Sequence, residues 1–434
     1  MKYYSTNGTA PIADLHKAVV KGLAEDRGLY MPEKIKTLPQ VFFDDIEKLS
    51  FQDIAYNVAS AFFGEDVDLD ALKDIVYDTL SFDCPVVQVK GSIYTLELCH
   101  GPTLAFKDVG ARFMARLLQY FIKQEGKNEQ VNVLVATSGD TGSAVANGFL
   151  GVDGIHVYVL YPKGKVSPIQ ECQFTTLGRN ITAIEVDGVF DDCQALVKNA
   201  FMDAELNQHM KLTSANSINV ARFLPQAFYY FNAYARMKEQ GKADNLVMCV
   251  PSGNFGNICA ALFGHEMGLP IKRFIAANNA NDIFYKYLQT GKYEPKPSKQ
   301  TLANAMDVGD PSNFARIYDL YGKSHERITS LISGATYTDN QIRETMRQCY
   351  QDTKYILDPH GACGYQALVD GLKDDEVGVF CETAHPAKFK EKVDDILGID
   401  VTIPDRLAAF MRGEKQSVPM SKDFADFKQY LLSK

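Results

Sequence analysis

From Val131 onward the chain alternates two kinds of segment, and this alternation constrains its fold more than any other feature. VNVLVAT (Val131–Thr137) is short, apolar and rich in β-branched residues, the composition of a strand buried on both faces of a parallel sheet. HVYVLYP, ITAIEV, NLVMCVP, RFIAAN and VGVFCE repeat that composition further along. Helical patterns lie between them. The clearest, Asn219 to Gln240, sets Val220, Phe223, Leu224, Ala227, Phe228, Phe231 and Tyr234 at helical spacing, with Gly241 as a stop. Strands alternating with helices predict an α/β architecture of mostly parallel open sheets. The early residues differ, being helical and acidic with weak strand signals. At 434 residues the chain is too long for one compact core. The expected organisation is an amino-terminal helical subdomain over residues 1–90, a smaller α/β domain over 91–225 and a larger one over 226–434. TGKYEPKPSKQ (Thr290–Gln300) reads as an exposed loop, with a domain linker as the alternative.

Several classes of function are disfavoured. The formal net charge of −9 argues against nucleic acid or an acidic membrane as partner. Nine cysteines form no CxxC pair, and eight histidines form no HxxxH pair, so no metal centre is expected. The start, MKYYSTNG, has neither a basic nor an apolar leader region, and no window approaches a membrane span. A cytoplasmic protein with free thiols is the expectation.

In open α/β sheets ligands collect at the carboxyl ends of strands, so the strand-to-helix turns are the places to look. TSGDTGS (Thr137–Ser143) follows the first strand and precedes a helix expected from Gly142 to Leu150. Its main-chain N–H groups suit a carboxylate or phosphate, although an ordinary capped turn looks the same. It is not GxGxxG, which disfavours a dinucleotide fold. PSGNFGN (Pro251–Asn257) follows NLVMCV and opens a helix expected to run to Met267. Gly253 and Gly256 would let backbone approach a ligand, and Asn254 and Asn257 can donate or adopt unusual backbone angles. This turn reads as a phosphate seat at a helix N-terminus. In CETAHPAKF, Thr383 alone is a candidate N-cap.

HGPTLAFKDVGARFM (His100–Met114) carries the reactive candidate. Val109, Phe113, Met114, Leu117, Leu118 and Phe121 form one helical stripe that Gly126 ends. Lys107 therefore sits at a helix N-terminus, where the dipole opposes its charge, after the apolar Leu104, Ala105 and Phe106. Both effects favour a neutral amine, which can form a Schiff base with an aldehyde. The bland alternative is an exposed lysine paired with Asp108. A lysine of this kind together with a phosphate cradle describes a pyridoxal phosphate site.

These motifs resemble those of a known family. ELCHGPTLAFKD (Glu97–Asp108) resembles the lysine motif of threonine synthases of the bacterial and fungal branch. ATSGDTGSA and VPSGNFGN resemble that family's glycine-rich loops, and YYSTNG…KGLAEDRGLYMP its amino-terminal signature. The order and spacing agree over essentially the whole chain. The resemblance implies fold type II, as in the tryptophan synthase β-subunit, and it implies residue roles. Lys107 would hold the pyridoxal phosphate aldehyde. Gly253, Asn254, Phe255, Gly256 and Asn257 would hold its phosphate, and Thr383 its pyridine nitrogen. Ser138, Asp140 and Thr141 would face the substrate's α-carboxylate or the cofactor's 3′-oxygen side. Asn216, Ser217 and Arg222 resemble the substrate-phosphate segment, with an N-cap pair and a surface arginine as the alternative. Arg112 is a further candidate. Asn7 and Arg27 depart from the family pattern, which favours arginine and glycine there.

The implied reaction converts O-phospho-L-homoserine and water to L-threonine and phosphate, by γ-elimination and β-addition, in a monomer or homodimer. Lys107 would move the α and β protons. Rival readings are a dehydratase or phospho-lyase of the same fold releasing a 2-oxo acid, a pyridoxal phosphate-binding protein without turnover, and a nicotinamide-dependent dehydrogenase.

Overall fold

The computed structural model describes all residues, 1–434. Along the chain, β1 (Lys2–Ser5), β2 (Ala13–Asp14) and β3 (Tyr30–Pro32) form a small antiparallel sheet in the order β2-β1-β3. Helices Phe51–Phe63 and Leu69–Thr79 follow, capped by Ser50 and Asp68, whose side chains accept from the N–H groups three residues on. The amino-terminal region is thus mixed rather than purely helical. Then come β4 (Val86–Lys90), β5 (Ile93–Glu97), β6 (Val131–Ala136), β7 (Ile155–Pro162), β8 (Ile181–Asp187) and β9 (Lys211–Ser214). The remaining strands are β10 (Leu246–Pro251), β11 (Arg273–Asn278), β12 (Ile332–Thr336), β13 (Val377–Glu382) and β14 (Val418–Ser421).

Two larger sheets organise the molecule. The five-stranded sheet, β14-β8-β7-β6-β9, is wholly parallel. The six-stranded sheet, β12-β11-β10-β13-β5-β4, is parallel except for the antiparallel edge pair β4–β5. All six apolar runs read from the sequence are strands of these sheets. Membership does not follow simple cuts in the chain. Residues 93–97, expected in the smaller domain, pair with β13 in the larger sheet, and β14, near the chain's end, returns to the smaller one. Both are held by parallel pairings between residues far apart in sequence, which local pattern does not specify.

In each sheet the strand order reverses beside the first strand of a run. One reversal lies between β6 and β9, the other between β10 and β13. Such switch points open a crevice at the carboxyl ends of the strands. The turns after β6, β10 and β13 carry TSGDTGS, SGNFGN and ETAHPAKF, so the topology places all three motifs at crevices.

Local chemistry shapes the helices that border these turns. The Lys107–Glu125 helix stops at Gly126, which takes a left-handed φ of 62°. The expected Asn219–Gln240 helix is divided. Val220–Phe223 and Ala227–Glu239 flank a short 3₁₀ turn, Leu224–Gln226, where Pro225 lacks an N–H. Gly241 follows with a φ of 69°. A Cβ at Gly110 would lie 2.3 Å from the Arg222 carbonyl, so the Lys107 helix and the Val220–Phe223 helix touch backbone to backbone. Thr290–Gln300 runs between β11 and β12 within the six-stranded half, mostly exposed and without regular structure beyond its first residue. It is a loop and not a linker.

Candidate active site

Lys107 is the first residue of its helix, and the segment before it is held to the end of β13. Phe106 N–H donates to the Thr383 carbonyl at 2.8 Å, His385 N–H donates to the Leu104 carbonyl at 3.0 Å, and Ala105 bridges Ala384. Leu104 adopts a φ of 60°, a left-handed conformation that a branched side chain rarely takes and that costs about 1–3 kcal/mol. The expected alternative for Lys107, an exposed pair with Asp108, does not hold. Asp108 folds back instead, accepting from Thr103 N–H at 3.0 Å and from the Thr103 hydroxyl at 2.5 Å. Burial lowers the Lys107 pKa to about 8. Asp140 opposes that shift, and the Arg222 and Lys388 charges reinforce it. The amine thus titrates close to physiological pH, its neutral form gaining as pH rises.

The Pro251–Asn257 turn is built as an anion seat, although not by the side chains expected. Asn254 Nδ2 donates to Ser217 Oγ at 2.6 Å, and Asn254 Oδ1 accepts from Ser312 N–H at 2.7 Å. Asn257 Nδ2 donates to the Pro251 carbonyl at 2.8 Å, and Asn257 Oδ1 accepts from Ile258 N–H at 2.9 Å. Both asparagines therefore shape the turn. Phe255, at a φ of 66°, turns the chain into the helix Gly256–Glu266. As a result, the main-chain N–H groups of residues 253 to 257 find no acceptor within the chain. Five such donors at a helix N-terminus fit a phosphate. Gly253 serves packing, since a Cβ there would lie 2.5 Å from the Ala305 carbonyl oxygen.

The Thr137–Ser143 turn is a second seat of this type. Thr137 Oγ1 accepts from Gly139 and Gly142 N–H at 2.9 and 2.8 Å, while the N–H groups of Ser138, Asp140 and Thr141 bond to nothing in the chain. Within this turn the Asp140 side chain has partners of its own. It is buried, accepting from Lys388 Nζ at 2.5 Å and from Gln170 Nε2 at 3.0 Å. Burial pushes its pKa up, but Lys388 and then Lys107 hold it down at about 2.

Asn216 and Ser217 do not cap the following helix. Asn219 does, accepting from Ala221 N–H at 3.0 Å. Through the Ser217–Asn254 bond the Asn216–Arg222 segment instead abuts the phosphate-type turn. Arg222 is no surface residue. Its side chain is buried, one nitrogen donates to the Ala215 carbonyl, and Nε has no partner. Burial lowers its pKa to about 10, which leaves it cationic. Arg112 turns away to the end of the Leu69–Thr79 helix, donating to the Thr79 and Asp78 carbonyls at 3.0 and 2.7 Å. Its dipole role there explains its place without a ligand.

Three residues escaped the sequence reading. Lys388 stands within ETAHPAKF but looks like a surface lysine on a helix start. Gln170 braces Asp140. His360 accepts from Ala305 N–H at 3.1 Å through Nε2 and pairs with the buried Asp358 through Nδ1. This holds the segment against which Gly253 packs. Only Asp358-Pro359, an N-cap followed by proline, hinted at that arrangement.

Comparison with known proteins gives the family. The chain matches the family described as pyridoxal-phosphate dependent enzyme over residues 80–380. It matches the threonine synthase N terminus over 2–80 and the threonine synthase C-terminal family over 361–431. It is 44% identical to the threonine synthase of Haemophilus influenzae, covering all of both chains. The crystal structure of threonine synthase from Escherichia coli superposes with a TM-score of 0.93 at 41% identity, again over the full length of both. The pyridoxal phosphate-bound threonine synthase from Brucella melitensis gives 0.93 at 34% identity, covering 100% of this chain and 99% of that one. With three family segments spanning the chain in order and near-complete overlap with such enzymes, the chain belongs to the threonine synthase family, fold type II of the pyridoxal phosphate-dependent enzymes.

Proposed function

We propose that this enzyme converts O-phospho-L-homoserine and water to L-threonine and phosphate, using pyridoxal 5′-phosphate. The observation that carries the reading is the combination of a lysine with a pKa near 8 and two turns whose N–H groups are unbonded at the carboxyl ends of β6 and β10. The residues fit the cofactor. Lys107 would anchor its aldehyde carbon, the N–H groups of 253–257 would hold its phosphate, and the Thr383 hydroxyl would meet its pyridine nitrogen. When bound, the cofactor supplies an electron sink for charge developing on the substrate.

The chain's own residues do the rest. Lys107 would carry protons at the substrate's Cα, Cβ and Cγ one at a time, giving up each before taking the next, and a pKa near 8 suits an amine that must both take and return a proton. The N–H groups of Ser138, Asp140 and Thr141 would orient the substrate carboxylate, with the side chain of Asp140 neutralised from behind by Lys388. Arg222, buried and cationic beside Lys107, together with Asn216 and Ser217, supports the substrate phosphate as it leaves Cγ. A hydroxyl at Thr383, unlike a carboxylate, does not favour a protonated ring and so moderates electron withdrawal.

No helix is long and apolar enough to cross a membrane. The net charge of −9 supports a small molecule rather than nucleic acid as its partner, and we read the enzyme as a cytoplasmic monomer or homodimer. The test is product analysis. Purified enzyme given O-phospho-L-homoserine should release threonine and phosphate in equal amounts. Release of 2-oxobutyrate instead would make it a dehydratase or phospho-lyase.

A further inference from the structure

A buried ion pair joins the two halves of the molecule beside Lys107. Asp140 opens the helix after β6, in the five-stranded half, and Lys388 lies in the short 3₁₀ turn Pro386–Phe389 after β13, in the six-stranded half. Their side chains are 4% and 0% exposed and meet at 2.5 Å. Both partners are further fixed. Lys388 Nζ also donates to the Thr103 carbonyl at 2.9 Å, on the turn leading to Lys107. Gln173 Nε2 donates to that same carbonyl at 3.1 Å, and Gln170 Nε2 holds Asp140 at 3.0 Å.

Full burial of two charges is a poor way to gain stability, because desolvation offsets most of their attraction. A packed apolar pair would serve a mere structural joint as well. The location supplies the reason for charge. The ionic groups acting on the Lys107 amine come from three elements: Asp140 from the turn after β6, Lys388 from the turn after β13, and Arg222 from the helix after β9. Two of these three are the ion pair itself.

We propose that Lys388 is a positioning residue, whose buried pair with Asp140 locks the Thr137–Ser143 turn onto the post-β13 segment and sets the electrostatic surroundings of the Lys107 amine. The lock fixes the Ser138–Thr141 N–H groups relative to Lys107, across the division between the sheets. It also presents Lys107 with a balanced pair in place of an isolated carboxylate. Without Lys388, the Asp140 charge would hold the Lys107 proton. Without Asp140, Lys388 would repel it. The proposal concerns the amine in the protein alone. It therefore stands or falls independently of the substrate assigned above.

The experiment measures the titration of Lys107 in the full-length, cofactor-free chain. Trace acetic anhydride is applied across the pH range, and acetylation of the Lys107 peptide is followed by mass spectrometry. Lys388→Met should raise the Lys107 midpoint by about one pH unit or more, and Asp140→Asn should lower it, since a neighbouring charge typically moves a pKa by about 1–3 units. The double variant should fall between the two singles. Lys388→Arg should stay close to the parent. Circular dichroism and thermal melting confirm folding of each chain. If Lys388→Met fails to fold, the downward shift in Asp140→Asn and the near-parent value of Lys388→Arg still decide the matter. Midpoints that coincide with the parent in every folded variant, or that move in the same direction in both singles, would overturn the proposal.

Discussion

Phe106 N–H donates to the Thr383 carbonyl at 2.8 Å, so the residue before the reactive lysine hangs from the end of β13. This main-chain bond separates two contributions of Thr383. Its carbonyl positions Lys107, whatever the side chain, while its hydroxyl is the group proposed to meet the ring nitrogen. Thr383→Ala should therefore keep the fold and the yellow, borohydride-reducible cofactor, but lower turnover by about 10- to 100-fold, the loss of a hydrogen bond worth about 1–3 kcal/mol. Thr383→Ser should recover most of it. Steady-state kinetics with O-phospho-L-homoserine, beside the visible spectrum, reads both effects.

Lys107→Ala would remove both the proposed covalent anchor and the proposed base. Turnover should fall by at least about 10³-fold. The visible band of the bound cofactor should give way to the spectrum of free aldehyde, with unchanged circular dichroism. A variant that keeps the band would place the anchor on another lysine, and Lys388 would be the first to replace next.

The Lys107 pKa, lowered by burial to about 8 from an ordinary 10.5, gives a signed pH dependence. The neutral amine gains as pH rises through about 8. Uptake of pyridoxal phosphate by the cofactor-free chain should thus quicken roughly tenfold per unit below that value and level off above it. Stability follows the same group. Between about 8 and 10.5 the unfolded chain keeps the lysine proton and the folded chain does not, so stability of the cofactor-free protein rises with pH across that window. Stopped-flow absorbance and pH-dependent melting test the two statements, and Lys107→Met should flatten the second.

Much of this was legible in the sequence because it depended on local pattern. The six strands after Val131 declared themselves through β-branched runs, and Lys107 through its place at a helix start behind Leu-Ala-Phe. What escaped depended on partners distant in the chain. β9, β12 and β14 are short or partly polar, and are strands only because parallel neighbours supply their hydrogen bonds. Sequence leaves Asn254 and Asn257 as either donors or residues of unusual backbone angle, and the structure engages their amides with Ser217 and Pro251. The donors left over are backbone groups, which any residue type carries. Lys388 had no signal of its own, because its partner Asp140 opens a helix in the other half of the molecule.

Arg27 occupies a backbone conformation that suits glycine. Its φ is 66°, the left-handed region that glycine takes freely and other residues take at a cost of roughly 1–2 kcal/mol. Arg27→Gly should leave kinetics unchanged. It should stabilise by no more than about 1 kcal/mol, since the added freedom of the unfolded chain offsets part of the relief. The neighbouring Gly28→Ala should do the reverse, because a Cβ there would lie 1.9 Å from Ser5 Oγ and 2.8 Å from Asn7 N. Denaturant titration of the two variants separates them.

Gly253 tests whether the phosphate seat depends on packing behind it. A Cβ at this position would stand 2.5 Å from the Ala305 carbonyl oxygen and 3.0 Å from Met306 Cα, both backbone atoms. The Ala305 segment cannot easily yield, since its N–H is held by His360 and His360 by the buried Asp358. The strain of Gly253→Ala should pass to the turn itself and misalign the five N–H donors. Pyridoxal phosphate affinity should fall by about 10- to 100-fold, the scale of one or two lost charge-assisted hydrogen bonds. Pyridoxal, which has no phosphate, should bind parent and variant alike. Equilibrium titration of the cofactor-free chain with both aldehydes makes the comparison. Equal losses for the two would show that the damage reached Lys107, and unchanged affinity for both would remove the 253–257 turn from the cofactor site.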